Sequence, residues 1–340
     1  MKSIFDKVTL GKLQLKNRLI RSATWEGLAD SDGHMPEALY KIYNELASGG
    51  VGAIITGFTS VADNDYYFGG MARLSNDGLI EEHRRLVGIS HSYDCPIIVQ
   101  LAMGEYNGAY RDMDIDHMTA EDFSAVREMF ISAAVRGEKA GYDGVQIHAA
   151  HGFFLSRFIS PAFNHRRDEY GGSAENRGRL VVEILKGIKE RAPNLHVTMK
   201  INCQDFTPCG LTADDSMVIC RTCAENGIDS IEVSGGGTSR SGIRAGVNEA
   251  YFRDFAAELA ETVDVPVILA GGHRSVECME KVLNDSKIAC LSLSRPLVRE
   301  PNLPNRWQNG DLRPAKCVSC NMCYQTPAHQ CIFALRGLDK

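Results

Sequence analysis

Short apolar runs alternate with longer amphipathic stretches along most of this chain of 340 residues. Eight apolar runs are candidate strands: Arg18–Arg21, Ala53–Thr56, Ile97–Leu101, Gly144–His148, Val197–Ile201, Ser230–Ser234, Val267–Ala270 and Ala289–Ser292. Most of them are short and rich in β-branched residues, which is typical of parallel strands that are buried on both faces. Between them, apolar residues recur at helical spacing, most clearly over Glu121–Ala140, Glu175–Arg191, Asp214–Asn226 and Arg253–Thr262.

The repeated strand–helix unit predicts an α/β fold, and eight repeats favour a closed (β/α)8 barrel over an open doubly wound sheet. The phosphate-binding fingerprint GxGxxG of the open sheet does not follow the first apolar run. We therefore expect a single TIM barrel over residues 1–312 and a short Cys-rich C-terminal extension over residues 313–340. In such barrels the chemistry takes place at the carboxyl ends of the strands, on the loops that follow them.

The overall composition excludes several classes of partner. The net charge is −6, so no basic face is implied, and neither nucleic acid nor a membrane is an expected partner. No signal peptide and no apolar run of about 18 residues is present, which predicts a cytoplasmic protein. The cysteine count is eleven, and an odd number in such a chain argues against a framework of disulfides.

Two histidines follow the fourth apolar run, in the segment QIHAAHGFF. If residues 148–151 begin a helical turn, the rings of His148 and His151 project to the same side. Two neutral donors at one point suit a developing oxyanion, such as the enolate that forms when a hydride adds to a conjugated carbonyl. The alternatives are two structural histidines or a metal site, and no third histidine or carboxylate stands nearby at ligand spacing to favour the metal.

Gln100 and Lys200 are polar residues within apolar runs. Gln100 ends the run IIVQ, where its amide could pair with the donor and acceptor edges of a flavin pyrimidine ring or with neighbouring backbone. Lys200 lies within VTMKIN, and a buried ammonium group needs a partner. That partner is either the negative charge of a reduced flavin or a carboxylate of the barrel.

The last two strands are followed by residues that suit a phosphate group. Gly271 and Gly272 follow the seventh strand, and Ser294 and Arg295 follow the eighth. Glycines allow close approach of the backbone, and the amides at a helix N-terminus bind phosphate. A phosphate site between the last two loops recurs in TIM barrels.

The segments KNRLIRSAT and HAAHGFFLSRFISPAFNHRRDEYGGSAENRGR resemble motifs of the Old Yellow Enzyme family of NADH:flavin oxidoreductases. The resemblance implies a barrel with an N-terminal β-hairpin lid, which Val8–Leu15 fits, and non-covalently bound FMN. It implies that His148 and His151 hold the substrate carbonyl. By position, the residues that it assigns to FMN are Ala23, Thr24, Gly57, Phe58, Gln100, Lys200, Gly271, Gly272, Ser294 and Arg295.

The chain departs from the family pattern at two positions of the implied substrate pocket. Phe153 stands where many members carry a tyrosine that protonates the substrate, and a phenylalanine cannot donate a proton. Water or another group must then supply it, and the candidate groups are Tyr67, Tyr106 and Tyr110. Trp25 stands where some members carry a cysteine, and its bulk should narrow the pocket.

The C-terminal segment CVSCNMCYQTPAHQC places Cys317, Cys320, Cys323 and Cys331 in a C-x2-C-x2-C-x7-C pattern. Four thiolates at this spacing suit a [4Fe–4S] cluster or a zinc ion, and free cysteines are the third interpretation. The pattern is similar to the iron–sulfur segment of 2,4-dienoyl-CoA reductases and trimethylamine dehydrogenase. In those relatives the cluster carries electrons from a pyridine-nucleotide domain, which is not expected here because the sequence stops at Lys340.

The resemblance implies an ene-reductase-type enzyme with NAD(P)H as co-substrate. Hydride would pass from the nicotinamide to flavin N5 and then to the activated C=C bond of an enone or enoyl thioester. Two alternatives are a flavin-dependent amine or alcohol dehydrogenase and an electron-relay flavoprotein subunit. The expected partners are a small-molecule substrate, an electron-donor protein and further copies of the chain in a homo-oligomer.

Overall fold

A closed barrel of parallel strands forms the centre of the computed structural model, which describes residues 1–65, 68–104, 114–236 and 239–338. The strands are β1 (Val8–Leu10), β2 (Leu13–Leu15), β3 (Leu19–Arg21), β4 (Ala53–Ser60), β5 (Ile97–Ala102), β6 (Gly144–Ala149), β7 (His196–Asn202), β8 (Ser230–Ser234), β9 (Val267–Ala270) and β10 (Cys290–Leu293). The barrel runs from β3 to β10 in chain order, and β10 pairs with β3 to close it. The predicted (β/α)8 barrel is therefore confirmed, and each predicted apolar run lies on one of its strands.

Helices connect the strands and cover the outside of the barrel. They are α1 (Glu37–Ser48), α2 (Ile80–His91), α3 (Ala120–Ala140), α4 (Phe154–Ile159), α5 (Ala174–Arg191), α6 (Ala213–Glu225), α7 (Arg253–Thr262), α8 (Val276–Asn284), α9 (Arg295–Arg299), α10 (Leu303–Gln308) and α11 (Ile332–Leu335). Helix α3 begins at a capping box, in which Thr119 and Asp122 each accept the other's backbone N–H, and it ends at Gly141 in the left-handed conformation. Among the described residues, no helix is long and apolar enough to cross a membrane.

The hairpin of β1 and β2 closes the amino-terminal end of the barrel. Leu10, Leu13 and Leu15 pack against apolar side chains inside the barrel, including Ile20. Gly11 forms the turn with φ of +55°, and a Cβ there would lie 2.7 Å from the carbonyl oxygen of Asp229. The hairpin expected over Val8–Leu15 is present, and it lies at the end opposite to the loops that follow the strands.

The C-terminal extension packs on the other end of the barrel. Ala315 donates its backbone N–H to the carbonyl of Arg274 at 2.8 Å, and the Arg274 guanidinium donates to Ser319 Oγ at 2.6 Å. Farther along, the Asn321 amide donates to the carbonyl of Ser239 at 3.3 Å. The extension therefore covers loops that follow strands, where the chemistry of such barrels is located.

Candidate active site at the carboxyl ends of the strands

A cavity of about 460 Å³ opens at the carboxyl ends of the barrel strands. Most of the residues predicted for the site line it together: Ala23, Thr24, Trp25, Phe58, Gln100, His148, His151, Phe153, Lys200, Gly271, Gly272, Ser294 and Arg295. Among the predicted residues outside this lining are Gly57 and the four C-terminal cysteines. The folding of the barrel therefore brings residues from all eight of its strands, or from the loops after them, to one cavity.

Gly57 lies behind the cavity wall, in a bulge of β4. The pairing of β4 with β5 shifts register between Ile55 and Phe58, and such a bulge re-aims the side chains next to it. The Gly57 N–H donates to the hydroxyl of Tyr43 at 2.8 Å, and a Cβ there would lie 2.2 Å from a Glu26 carboxylate oxygen. Gly57 thus allows close packing under the wall, while Phe58 faces the cavity.

His148 and His151 meet in the cavity, although residues 148–151 do not form the helical turn that the sequence suggested. His148 still belongs to β6, His151 has φ of +62°, and α4 begins only at Phe154. The two ring centroids are 5.4 Å apart. Hydrogen bonds fix His151 from both sides, because its backbone N–H donates to Asn202 Oδ1 at 3.1 Å and its Nε2 lies 2.7 Å from Ser234 Oγ.

Both histidines are held in the neutral form. Burial lowers the pKa of His148 well below its usual value, and burial with the nearby Lys200 ammonium lowers the pKa of His151 to about 3. His148 Nδ1 is buried and has no hydrogen-bond partner among the described residues. An unpaired buried nitrogen costs about 1–3 kcal/mol. The pair is therefore suited to a ligand oxygen.

Lys200 has a carboxylate partner and lines the cavity at the same time. Its ammonium donates to Ser22 Oγ at 2.7 Å and lies 3.2 Å from Glu232 Oε1. Burial raises the pKa of Glu232, but the Lys200 charge and hydrogen bonds from Ser22, Ser292 and Gln146 outweigh it, so the pKa is lowered. The sequence left a flavin or a barrel carboxylate as the partner, and the structure supplies the carboxylate while keeping Lys200 at the cavity.

The Gln100 side chain belongs to the same hydrogen-bond network. Its amide nitrogen donates to Gln146 Oε1 at 2.8 Å, and Gln146 donates to Glu232 Oε2 at 2.9 Å. Gln100 therefore bonds to a side chain of the next strand and not to neighbouring backbone through its amide nitrogen. Because each polar group of this network orients the next, Gln100 and Lys200 reach the cavity in fixed positions.

Aromatic side chains form one wall of the cavity. Phe153 packs 4.4 Å from the His148 ring and 4.9 Å from the Phe58 ring, as centroid distances. Phe68 continues the wall, 5.4 Å from Phe58 and 5.3 Å from Trp25. Sequence analysis missed Phe68, which lies in a long loop after β4 that no pattern places. Tyr67, Tyr106 and Tyr110, the candidate proton donors, lie outside the described residues.

The predicted phosphate-binding residues lie together at another part of the cavity. Gly271 and Gly272 have φ of +122° and +84°, and a Cβ on Gly272 would lie 2.6 Å from the Tyr251 ring. Thr24 Oγ1 donates to Ser294 Oγ at 2.8 Å, which joins the first strand's loop to the last. These backbone conformations favour glycine and leave a cradle that any side chain would fill.

Arginines from two of these loops also face the cavity. Arg295 is bonded to Asn321 of the extension, and Arg274 donates to the carbonyl of Cys317 at 3.0 Å. Arg274 was not singled out in the sequence, although it follows the GGH segment directly. The cationic groups and the glycine cradle together fit a phosphate ester, which is the end group of FMN.

The four C-terminal cysteines line a separate, smaller cavity of about 20 Å³. Burial raises the pKa of Cys323 to about 11, and the neighbouring Cys317 adds to this effect. Within the described part of the chain, no group of three or more Cys, His, Asp or Glu side chains stands in an arrangement that could hold a metal ion. The fold thus brings the four thiols to one cavity without placing them at ligating positions.

Several known proteins are similar to this chain in sequence. A sequence model of the NADH:flavin oxidoreductase / NADH oxidase family matches residues 3–117 and 109–313. An NADH oxidase of Thermoanaerobacter brockii is 28% identical over 94% of this chain and 53% of its own length. An NADPH dehydrogenase of Clostridium acetobutylicum is 27% identical over 88% of this chain and 92% of its own length.

Among solved structures, a complex of 2-naphthoyl-CoA reductase with 2-naphthoyl-CoA superposes with a TM-score of 0.85 at 21% identity. The match covers 94% of this chain and 54% of that one, and it supports the fold. The chain spans about half the length of the first curated relatives that it matches.

Proposed function

Because the chain belongs to the NADH:flavin oxidoreductase / NADH oxidase family, we propose that it is an FMN-dependent oxidoreductase that reduces an activated C=C bond with NAD(P)H. The substrate is an enone or an enoyl thioester. The observation that carries the proposal is the neutral histidine pair at the cavity, with His148 Nδ1 lacking a partner among the described residues. Bound FMN would supply hydride transfer, from reduced nicotinamide and onto the double bond.

The residues of the cavity divide into a phosphate end and a ring end. Gly271, Gly272, Ser294 and Arg295 would hold the phosphate of FMN, with Arg274 beside them. The residues that would contact the ring system are Ala23, Thr24, Phe58, Gln100 and Lys200. Gly57 would contribute by allowing the packing behind Phe58.

His148 and His151 would each offer an N–H to the carbonyl oxygen of the substrate. Negative charge grows on that oxygen when a hydride adds to the double bond, and donors fixed in a buried site stabilise it more than water does. Ser234 and Asn202 hold His151 in place, so little reorganisation is needed. Phe153 packs against His148 and Phe58 and offers only an apolar ring there, so the proton for the substrate carbon must come from another group or from water.

We propose in addition that Cys317, Cys320, Cys323 and Cys331 ligate a [4Fe–4S] cluster. The support is that all four side chains line one cavity and that four thiolates are the donor set of such clusters. Because the described side chains do not stand at ligating positions, this segment would have to rearrange when the cluster binds. Bound there, a cluster would supply one-electron transfer. Iron and acid-labile sulfide in anaerobically purified protein test this, and zinc or no metal in stoichiometric amount contradicts it.

Anaerobic stopped-flow spectroscopy tests the proposed reaction. Flavin absorbance should bleach on mixing with NADH or NADPH and return on mixing with an enone. Bleaching by an amine but not by NAD(P)H would contradict the proposal and indicate a dehydrogenase. Reduction only through an added protein would indicate an electron-relay subunit.

A further inference from the structure

The C-terminal extension contributes a histidine to the cavity that the proposed reaction does not use. His329 lines the cavity beside Trp25, and the exposed fraction of this residue is only 4%. Neither of its ring nitrogens has a hydrogen-bond partner among the described residues. Because a buried nitrogen without a hydrogen-bond partner is unfavourable, a ligand that pairs with the ring would stabilise this arrangement.

The backbone conformation that places the His329 ring in the cavity is strained. Ala328 and His329 have φ of +56° and +51°, in the left-handed region that residues with a side chain rarely adopt. The Thr326 hydroxyl closes the loop, since its oxygen lies 2.9 Å from the carbonyl of Cys323 and 2.6 Å from that of Gln330. Backbone strain of this kind persists where the surroundings impose it, and it is concentrated at binding and catalytic sites.

Neighbouring rings connect His329 to the histidine pair. Its ring centroid is 6.1 Å from that of Trp25 and 4.7 Å from that of Tyr324. From Trp25 the wall continues through Phe68 and Phe153 to His148, with successive centroids 5.3, 6.2 and 4.4 Å apart. The cavity therefore offers polar nitrogens at both ends of an apolar, aromatic wall.

We propose that His329 is a substrate-recognition residue that binds a second oxygen of the substrate, at the end away from the carbonyl held by His148 and His151. This rests on the proposed function for the identity of the carbonyl end. Both ring nitrogens are buried and unpaired among the described residues, so a hydroxyl group, which can either donate to or accept from a ring nitrogen, is the best complement. The substrate class is then a planar aromatic enone or enal that carries a hydroxyl at its far end.

Calorimetric titration of the oxidised, FMN-loaded protein with two probes tests this without any hydride donor. The probes are cinnamaldehyde and para-hydroxycinnamaldehyde, which differ only in the far hydroxyl. We expect the hydroxylated probe to bind about tenfold more tightly to the wild type, as one hydrogen bond to a buried nitrogen would give. The variant His329→Phe should lose this difference and keep the affinity for cinnamaldehyde.

Further variants separate recognition from folding. His329→Gln retains a donor and an acceptor and should restore part of the preference. His117→Phe removes a histidine whose side chain is 83% exposed and should leave both affinities unchanged. Equal binding of both probes by the wild type, or no binding of either, overturns the proposal.

The proposal is also overturned if His329→Phe loses FMN or binds both probes equally more weakly. His329 would then serve FMN binding or the stability of the fold. The proposed reaction can fail separately. If the binding preference is present but NAD(P)H reduces neither probe, the reaction is wrong and the recognition role stands.

Discussion

At the scale of single residues, the protonation state of the histidine pair determines what the site can do. Burial lowers the pKa of both His148 and His151, so each neutral ring has one N–H to donate and neither is a cationic acid at physiological pH. The proposed stabilisation of the substrate oxygen by the histidines is therefore a separate step from the supply of the proton. The histidine variants test the first, and Phe153→Tyr tests the second.

Replacement of either histidine should slow the second half-reaction, in which the enone reoxidises the reduced flavin. His148→Ala and His151→Ala should each lower the rate of flavin reoxidation by an enone about 10²–10³-fold, as loss of an oxyanion donor does elsewhere. The FMN content and the rate of reduction by NAD(P)H should stay close to those of the wild type. Wild-type reoxidation rates in both variants would show that the pair does not hold the substrate oxygen.

Phe153→Tyr would introduce a hydroxyl next to His148, at the position where the resemblance implies a proton-donating tyrosine in many family members. If protonation limits the reaction, the rate of reoxidation by an enone should rise, since a positioned general acid contributes about 10²–10⁴-fold. Stopped-flow traces of both half-reactions measure this. An unchanged second half-reaction would show that the proton already arrives by another route.

At the scale of elements, the strands place polar residues inside the barrel, where they stabilise one another. Lys200 on β7 and Glu232 on β8 form a buried ion pair, and Ser22, Ser292 and Gln146 add hydrogen bonds to the carboxylate. The apolar run VTMKIN already required that Lys200 have a partner. It could not identify Glu232, because pairing across neighbouring strands depends on register and not on spacing along the chain.

The ion pair should show strong coupling in a double-mutant cycle. Lys200→Met should lower the free energy of unfolding by about 3–5 kcal/mol, because it leaves the Glu232 carboxylate buried without its counter-charge. Lys200→Met combined with Glu232→Gln should recover much of that loss. Urea denaturation measures all four proteins, and additive losses would mean that the two side chains do not interact.

The hairpin of β1 and β2 offers a contrasting test, far from the cavity. Gly11→Ala forces a Cβ against the Asp229 carbonyl at a positive φ, so it should destabilise the fold by about 1–3 kcal/mol. The rates of both half-reactions should be unchanged in the folded fraction. A change in either rate at full FMN content would show that this end of the barrel influences the site.

Much of the element order and half of the site could be predicted because each rests on local sequence. The apolar runs located the strands, and residues just after them, such as Gln100 and Gly271, proved to line the cavity. Phe68 and His329 were missed because they reach the cavity from long irregular segments. Their placement depends on tertiary contacts, which no spacing rule records.

At the scale of the whole molecule, many histidines are buried in a neutral state. Burial lowers the pKa values of His83, His196, His273 and His329 to about 4 and that of His151 to about 3, from an ordinary value of 6.5. The unfolded chain therefore binds protons between pH 6.5 and about 4 that the folded chain does not. Each pH unit between folded and unfolded pKa corresponds to about 1.4 kcal/mol for each such group.

The urea midpoint should accordingly fall as the pH is lowered from 6.5 towards 4. His196→Gln should make this fall shallower, because the amide can keep the hydrogen bond to Ser230 without titrating. A midpoint that stays constant over this range would show that these histidines are protonated in the folded protein. The homo-oligomer, the cytoplasmic location and the electron-donor partner stay predictions from the sequence, as does the boundary at residue 312.

The attachment of the extension has a consequence for how substrate preference could change. Tyr324 and His329 reach the cavity from residues that follow the barrel, while the histidine pair and the glycine cradle belong to the barrel strands and the loops after them. Exchange of residues 313–338 for the corresponding segment of a relative would thus replace one end of the pocket and leave the other intact. Substrate selectivity could therefore change through the extension alone, without any change to the residues proposed for the reaction in the barrel.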